Sequence, residues 1–254
     1  MAILGNNQQI VVLPIIQGVN ICKDSDKFNT YIRDYWNYYL KLEEEFIATE
    51  KYVEFHKDNY KTYSLEFLKL FQAVCSEIDV VGKMMAAEIY DIQGTNFDPK
   101  DATIQKWWFP IQYNYQRFGE NDRNTTLFFN KKVTINEVYE MQPWKSFEVE
   151  KCRSITHVGN SNSTKEYIRL KQDGLGKTIA TTPSWWNAYN DVKHQRTTAI
   201  KGSFRTNFSK ANLWNLSNAF AALYILEWSY IWAIGTLPEI TGLKYSALFE
   251  TLHD

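Results

Sequence analysis

The chain has 254 residues, 44% of them hydrophobic and 22% charged, which excludes general disorder and is enough to bury a sizeable core. Its 28 basic and 29 acidic residues leave a formal net charge of −1, so no overall positive field gathers nucleic acid non-specifically. Any nucleic-acid contact therefore needs a local basic patch or one assembled by oligomerisation.

Aromatic residues make up 16% of the chain, and such rings thicken cores and interfaces alike. Cys22, Cys75 and Cys152 are odd in number and widely spaced, matching neither a disulfide framework nor a zinc pattern. They read as reduced thiols of a cytoplasmic protein. The apolar stretch from Ile10 to Ile16 has no basic leader and is expected to be a short strand or buried arm.

A first helix is expected from Lys27 to about Thr49, since Tyr31, Tyr35, Tyr38, Leu42 and Phe46 recur at helical spacing. Glu43, Glu44 and Glu45 read as its solvated face. Ser64 is a plausible N-cap for a second helix. Its apolar rows, Leu65–Leu68–Phe71–Cys75–Ile78 and Phe67–Leu70–Val74–Val81–Met84, predict burial over much of its circumference. Glu77 falls in the second row, where a carboxylate is costly unless paired. It is expected in a structural ion pair or in a site. Asp79 and Lys83, four residues apart, are expected to pair on a neighbouring face.

After Ile92 the helical rhythm stops and Gly94, Pro99, Pro110 and Gly119 punctuate the chain. Strand-like texture follows at Lys132–Ile135, Phe147–Val149 and Glu166–Lys171, with a polar loop at Gly159–Ser163. Helices resume with Ser184 as cap. The last long helix is expected from near Ser209, apolar nearly all round from Ala219 to Ile234. That apolar run contains Glu227 and falls short of the roughly 20 residues a membrane span needs, so it reads as a buried core helix. Asn212, Asn215 and Asn218 form a polar ridge that must find water, a partner chain or internal partners. The expected fold is one mainly α domain: a helical bundle from about 27–90 and 184–234, with an irregular, β-containing insertion over about 95–180.

Three features invite a chemical reading. Gly174-Leu175-Gly176-Lys177-Thr178 has the ending of a phosphate loop, but Lys171 stands where the first glycine belongs and Pro183 breaks the chain soon after. Asp173-Gly174 is better explained as a hairpin turn. His56, His157, His194 and His253 form no metal pair, so neither a metal nor a cofactor is expected. The third feature is the segment from Trp185 to Arg196. On a helix, Asn190 and His194 share a face with Trp186 one turn earlier, and imidazole works as acid or base near neutrality. Asn190, Lys193 and Arg196 are polar partners for a developing phosphorane charge.

Asn190-Asp191-Val192-Lys193-His194 resembles the signature of HEPN-superfamily helical bundles, in which an arginine, usually followed by a polar residue, precedes a histidine near a helix terminus. The match runs from the polar residue through the histidine; Tyr189 occupies the arginine position. The resemblance implies metal-independent RNA cleavage, commonly at a dimer interface, in toxin–antitoxin or anti-phage systems. Carried onto this chain, it makes His194 and Asn190 catalytic. Lys193, Arg196, Tyr189 and Trp186 then contact RNA, and Glu77, Asp79 and Lys83 support the site from the facing helix. The alternative is a catalytically inactive helical interaction or scaffold protein, a homodimer that meets a partner through its aromatics and the asparagine ridge. Neither reading involves a membrane.

Overall fold

A computed structural model describes residues 13–14, 21–94, 97–114, 127–129, 141–158 and 161–251. The first helix forms as expected but in three parts: α1 (Ser25–Tyr31), a π-helical turn (Ile32–Trp36) and α2 (Asn37–Ala48). Asp24 caps its start by accepting from the Lys27 N–H at 3.0 Å. Phe28, Tyr31, Trp36, Tyr39, Leu42 and Phe46 form its buried face. The acidic triplet divides: Glu44 and Glu45 are solvated, whereas Glu43 is buried and corrects the expectation of a wholly solvated face. It accepts hydrogen bonds from Ser246, from the Tyr39 hydroxyl at 2.8 Å and from the Ala247 N–H at 2.8 Å. Periodicity could not reveal those donors, two of which lie some 200 positions away.

The second long helix, α3 (Leu65–Ile92), begins where Ser64 accepts from the Phe67 N–H at 3.0 Å. Both predicted apolar rows face inward, and only Leu65 and Met84 escape full burial. Gly82 lies among them because a neighbouring ring leaves no room: a Cβ there would come within 2.5 Å of Trp107.

Trp107 marks the main departure from expectation. The helical rhythm does not end at Ile92, because α4 (Ile104–Asn114) contains Trp107 and Trp108 and packs on α3. Pro110 lies within α4, although a proline ordinarily argues against a helix. Trp108 stacks on Trp144 at 4.1 Å, and Trp144 meets Trp185 edge-on at 5.2 Å. The indole N–H groups are satisfied, Trp108 donating to Phe147 O at 2.9 Å and Trp185 to Pro143 O at 3.0 Å. Residues 104–111 and 141–147, expected in the insertion, thus supply part of the core.

The β content is a hairpin of β3 (Val149–Val158) and β4 (Ser161–Leu170), paired antiparallel from Val149↔Leu170 to Val158↔Ser161, with β1 (Leu13–Pro14) on the outer edge of β4. β2 (Leu127–Phe129) pairs with β5 (Phe249–Thr251). Strand β4 is longer than the predicted Glu166–Lys171 and takes in the end of the expected polar loop. The predicted strand Lys132–Ile135 lies outside the described residues. Beyond the hairpin, Asp173 accepts from the Leu175 and Lys177 N–H groups, each at 2.9 Å, and Gly176 takes a φ of 78°. The phosphate-loop look-alike is a turn closed by its own carboxylate.

Helix α5 (Ser184–Gln195) follows, with Pro183 rather than Ser184 at the cap position. Helix α6 (Leu213–Ile234) is capped by Asn212, which accepts from the Asn215 N–H at 3.0 Å. It begins four residues later than expected, because Ser209 belongs to a separate 3₁₀ turn (Asn207–Lys210). From Leu216 to Ile231 every residue of α6 is buried, so it forms the axis on which α1, α2, α3 and α5 pack. No helix among the described residues is long and apolar enough to cross a membrane. A short α7 (Leu237–Thr241) opens on a capping box between Thr236 and Glu239.

Candidate functional site

Helix α5 presents two chemically different sides. Trp185, Trp186, Ala188, Tyr189 and Val192 are buried. Trp186 stands edge-on to Trp107 at 6.3 Å, and Tyr189 meets Phe71 of α3 at 6.2 Å. Both were expected to touch RNA; they are core residues that fix the helix against α3 and α4. Burial, with Cys75 and Asp79 nearby, pushes the Tyr189 hydroxyl up to about 12, so it stays neutral; neither form of a phenol carries the positive charge of an arginine.

The supporting acids separate. Asp79 pairs with Lys83 at 2.6 Å and accepts the Trp107 indole N–H at 3.1 Å, on the side of α3 that meets Tyr189. Glu77 acts electrostatically on Tyr35, Tyr38 and Glu227 instead, toward the first helix and α6. Among the described residues it has no ion pair, and partial burial holds its carboxyl above the usual range.

The last turn of α5 is solvent-facing: Lys193, His194 and Arg196 are exposed, with Asn190 half-buried one turn before His194. Lys193 places its ammonium 5.4 Å from the Tyr189 ring centre. The helix end is tied down by Asn207, whose side-chain amide donates to Gln195 O at 3.0 Å, and by Phe208 N–H donating to Arg196 O at 3.0 Å. Carbonyls concentrated at this C-terminus favour the cations gathered there.

The segment just beyond α5 escaped sequence reasoning. Residues 199–206 form a tight turn: Ala199 bridges Thr206, Ile200 N–H donates to Arg205 O at 2.9 Å, and Ser203 Oγ accepts from the Arg205 N–H at 3.1 Å. Gly202, with φ 76°, makes the reversal without strain. The turn holds Phe204 fully in solvent between exposed Lys201 and Arg205. Arg205 lies 5.6 Å from the Tyr63 ring, and Tyr63 meets Phe208 edge-on at 5.3 Å. A signal was present in the sequence: from Val192 to Leu226 there is no Asp or Glu, while Lys193, Arg196, Lys201, Arg205 and Lys210 all fall in that interval. Of these Lys210 is engaged, with Asp191 at 2.5 Å.

The asparagine ridge, in contrast, is satisfied within the chain. Asn215 donates to Lys210 O at 2.8 Å and Asn218 to Trp214 O at 2.9 Å, while Asn212 is the α6 cap. No group of His, Cys, Asp and Glu able to hold a metal occurs among the described residues. No family model, curated protein or solved structure matches the chain.

Proposed function

We propose that this is an RNA-binding helical protein whose contact surface is the exposed end of α5 together with the 199–206 turn. One observation carries the reading: Lys193, Arg196, Lys201 and Arg205 are all exposed and fall, together with the solvent-held Phe204, in a stretch free of acidic residues. Cations meet phosphates and release counterions, while an exposed ring flanked by cations gives a base something to stack on. With a net charge of −1 the attraction has to come from such a local patch. His194 lies exposed on the last turn of α5 and is the group able to move a proton there. The HEPN resemblance would make that step metal-independent RNA cleavage, with the exposed Arg196 in place of the arginine that Tyr189 displaces.

The test is fluorescence anisotropy of a labelled 12-nucleotide single strand between 50 and 200 mM salt. With three or four phosphates engaged, log K should fall with log[salt] at a slope of about −2 to −3. Replacing Lys193, Arg196, Lys201 and Arg205 with alanine should remove most of the affinity and flatten that slope. A protein that does not bind at 50 mM salt, or binds with no salt dependence, overturns the assignment. Incubating the same RNA in EDTA with wild type and His194→Ala decides cleavage separately: scission lost only in the variant assigns the step to His194.

A further inference from the structure

The apolar run of α6 encloses one acid, Glu227, which has no exposed surface. Neither of its oxygens has a hydrogen bond of ordinary geometry, and it has no ion pair among the described residues. The groups that act on it come from three elements. Tyr31 presents its hydroxyl from α1, while Tyr35 on the π-helical turn and Glu77 on α3 act on it electrostatically. None of the three is a cation. A protonated carboxyl is tolerated in such a place, whereas a carboxylate is costly until water or a positive charge reaches it.

The cover over Glu227 is unevenly held. Helix α3 packs on α2, α4, α5 and α6. Helix α2 is anchored by buried Glu43, which accepts from Ser246 and from the Ala247 N–H. Helix α1 and the π-helical turn, in contrast, find their main partner outside their own helix in α6. Their other ties are few: Asp24 N–H donates to Ile234 O at 3.0 Å, Lys23 donates to Gly235 O, and Lys27 pairs with Glu88. The join to the anchored α2 is the π-helical turn itself, where the Asn37 N–H reaches five residues back to Ile32 O. Such a break in the four-residue ladder is a place where helices bend, and it often marks a functional site.

We infer that Glu227 is a proton-held latch: with its proton in place the segment Ser25–Trp36 lies closed on α6, and loss of that proton to solvent promotes lifting of the segment about the π-helical turn. Lifting removes Tyr31 and Tyr35 from the carboxylate and admits water, while α2, α3 and α6 stay packed. Burial holds the Glu227 carboxyl up at about 8 in the closed form, and in the lifted form it is an ordinary solvated carboxyl. The lifted population therefore rises about tenfold for each pH unit between roughly pH 5 and 8, and levels off above that. The latch shares no residue with the RNA-facing surface and does not depend on that reading.

The experiment is amide hydrogen exchange of the full chain in half-unit steps from about pH 5 to 7.5, each rate divided by the intrinsic rate at that pH. Amides from Phe28 to Trp36 should speed up about tenfold per pH unit. They should do so with little dependence on urea up to about 1 M, because a local lift exposes little surface. Amides from Phe71 to Ile78 in α3, released by global unfolding, should exchange more slowly and respond strongly to urea. In Glu227→Gln the corrected rates of the first segment should be flat with pH. Equal rates and equal urea dependence in the two segments would mean that the proton stabilises the whole fold and no latch exists. Corrected rates independent of pH in the wild type, or an unchanged rise in Glu227→Gln, would overturn the assignment as well. The comparison of the two segments needs only the wild type, so it decides the matter even where the variant does not fold.

Discussion

Glu227 lies on the central helix with no exposed surface, and neither carboxyl oxygen makes a hydrogen bond of ordinary geometry. Burial pushes its carboxyl from 4.5 up to about 8; the Tyr31 hydroxyl draws it partly back and the Glu77 carboxylate adds to the rise. The folded-state pKa is therefore raised. Below about pH 4.5 both folded and unfolded chains hold the proton, and this group costs nothing. As pH rises toward 8 the unfolded chain ionises freely while the folded chain keeps the proton, so stability falls throughout that window and levels off above it. Each unit of displacement is about 1.4 kcal/mol, which makes the whole loss about 4–5 kcal/mol. Glu227→Gln retains the shape and abolishes the titration. The two proteins should be within about 1 kcal/mol of each other at pH 4.5, and the variant should be more stable by about 4 kcal/mol at pH 8.5. Urea unfolding followed by tryptophan fluorescence at half-unit pH steps measures the difference. Stability curves that stay parallel across the window would refute the argument.

The same structure fixes three other outcomes. Gly82→Ala drives a methyl group into Trp107, so it should destabilise by about 1–3 kcal/mol, with the tryptophan fluorescence reporting a loosened α3–α4 contact. Glu43→Ala strands the Tyr39 hydroxyl, the Ser246 hydroxyl and the Ala247 N–H in the interior and should cost about 3–5 kcal/mol in urea unfolding; an exposed-surface effect below 1 kcal/mol would contradict this role. Burial raises the Cys75 thiol well above its ordinary range, so in a Cys22→Ser, Cys152→Ser background a disulfide reagent should leave the native protein unlabelled at pH 8 and react promptly once urea is added.

How much of this was legible depended on what each signal measures. Spacing along one helix found the buried rows of α3, and a hydroxyl before an apolar run found its Ser64 cap, because both effects are local. The burial of Glu43 was hidden, since its donors at Ser246 and Ala247 come from the other end of the sequence. Pro110 misled for a related reason: its penalty is local, whereas α4 is held by Trp107 and Trp108 inserting among rings from 144 to 186. On α5 the sequence pattern did not separate the buried face from the exposed one. Trp186 and Tyr189 are in the core, and the exposed chemistry continues past the helix into a turn around Gly202 that no helical pattern describes. The charge run was readable all along as an interval without acids.

From Leu216 to Ile231 helix α6 has no solvent face, and that matters for the order in which the protein is made. Helices α1 to α3 leave the ribosome long before residue 234 has been added, and the parts of their inward rows that pack on α6 lack that partner until it arrives. The early part of the chain therefore spends much of its synthesis with sticky surface exposed to other chains and to chaperones. Slowing translation just ahead of α6 should lengthen that exposure and lower the soluble yield, even though the finished sequence is unchanged.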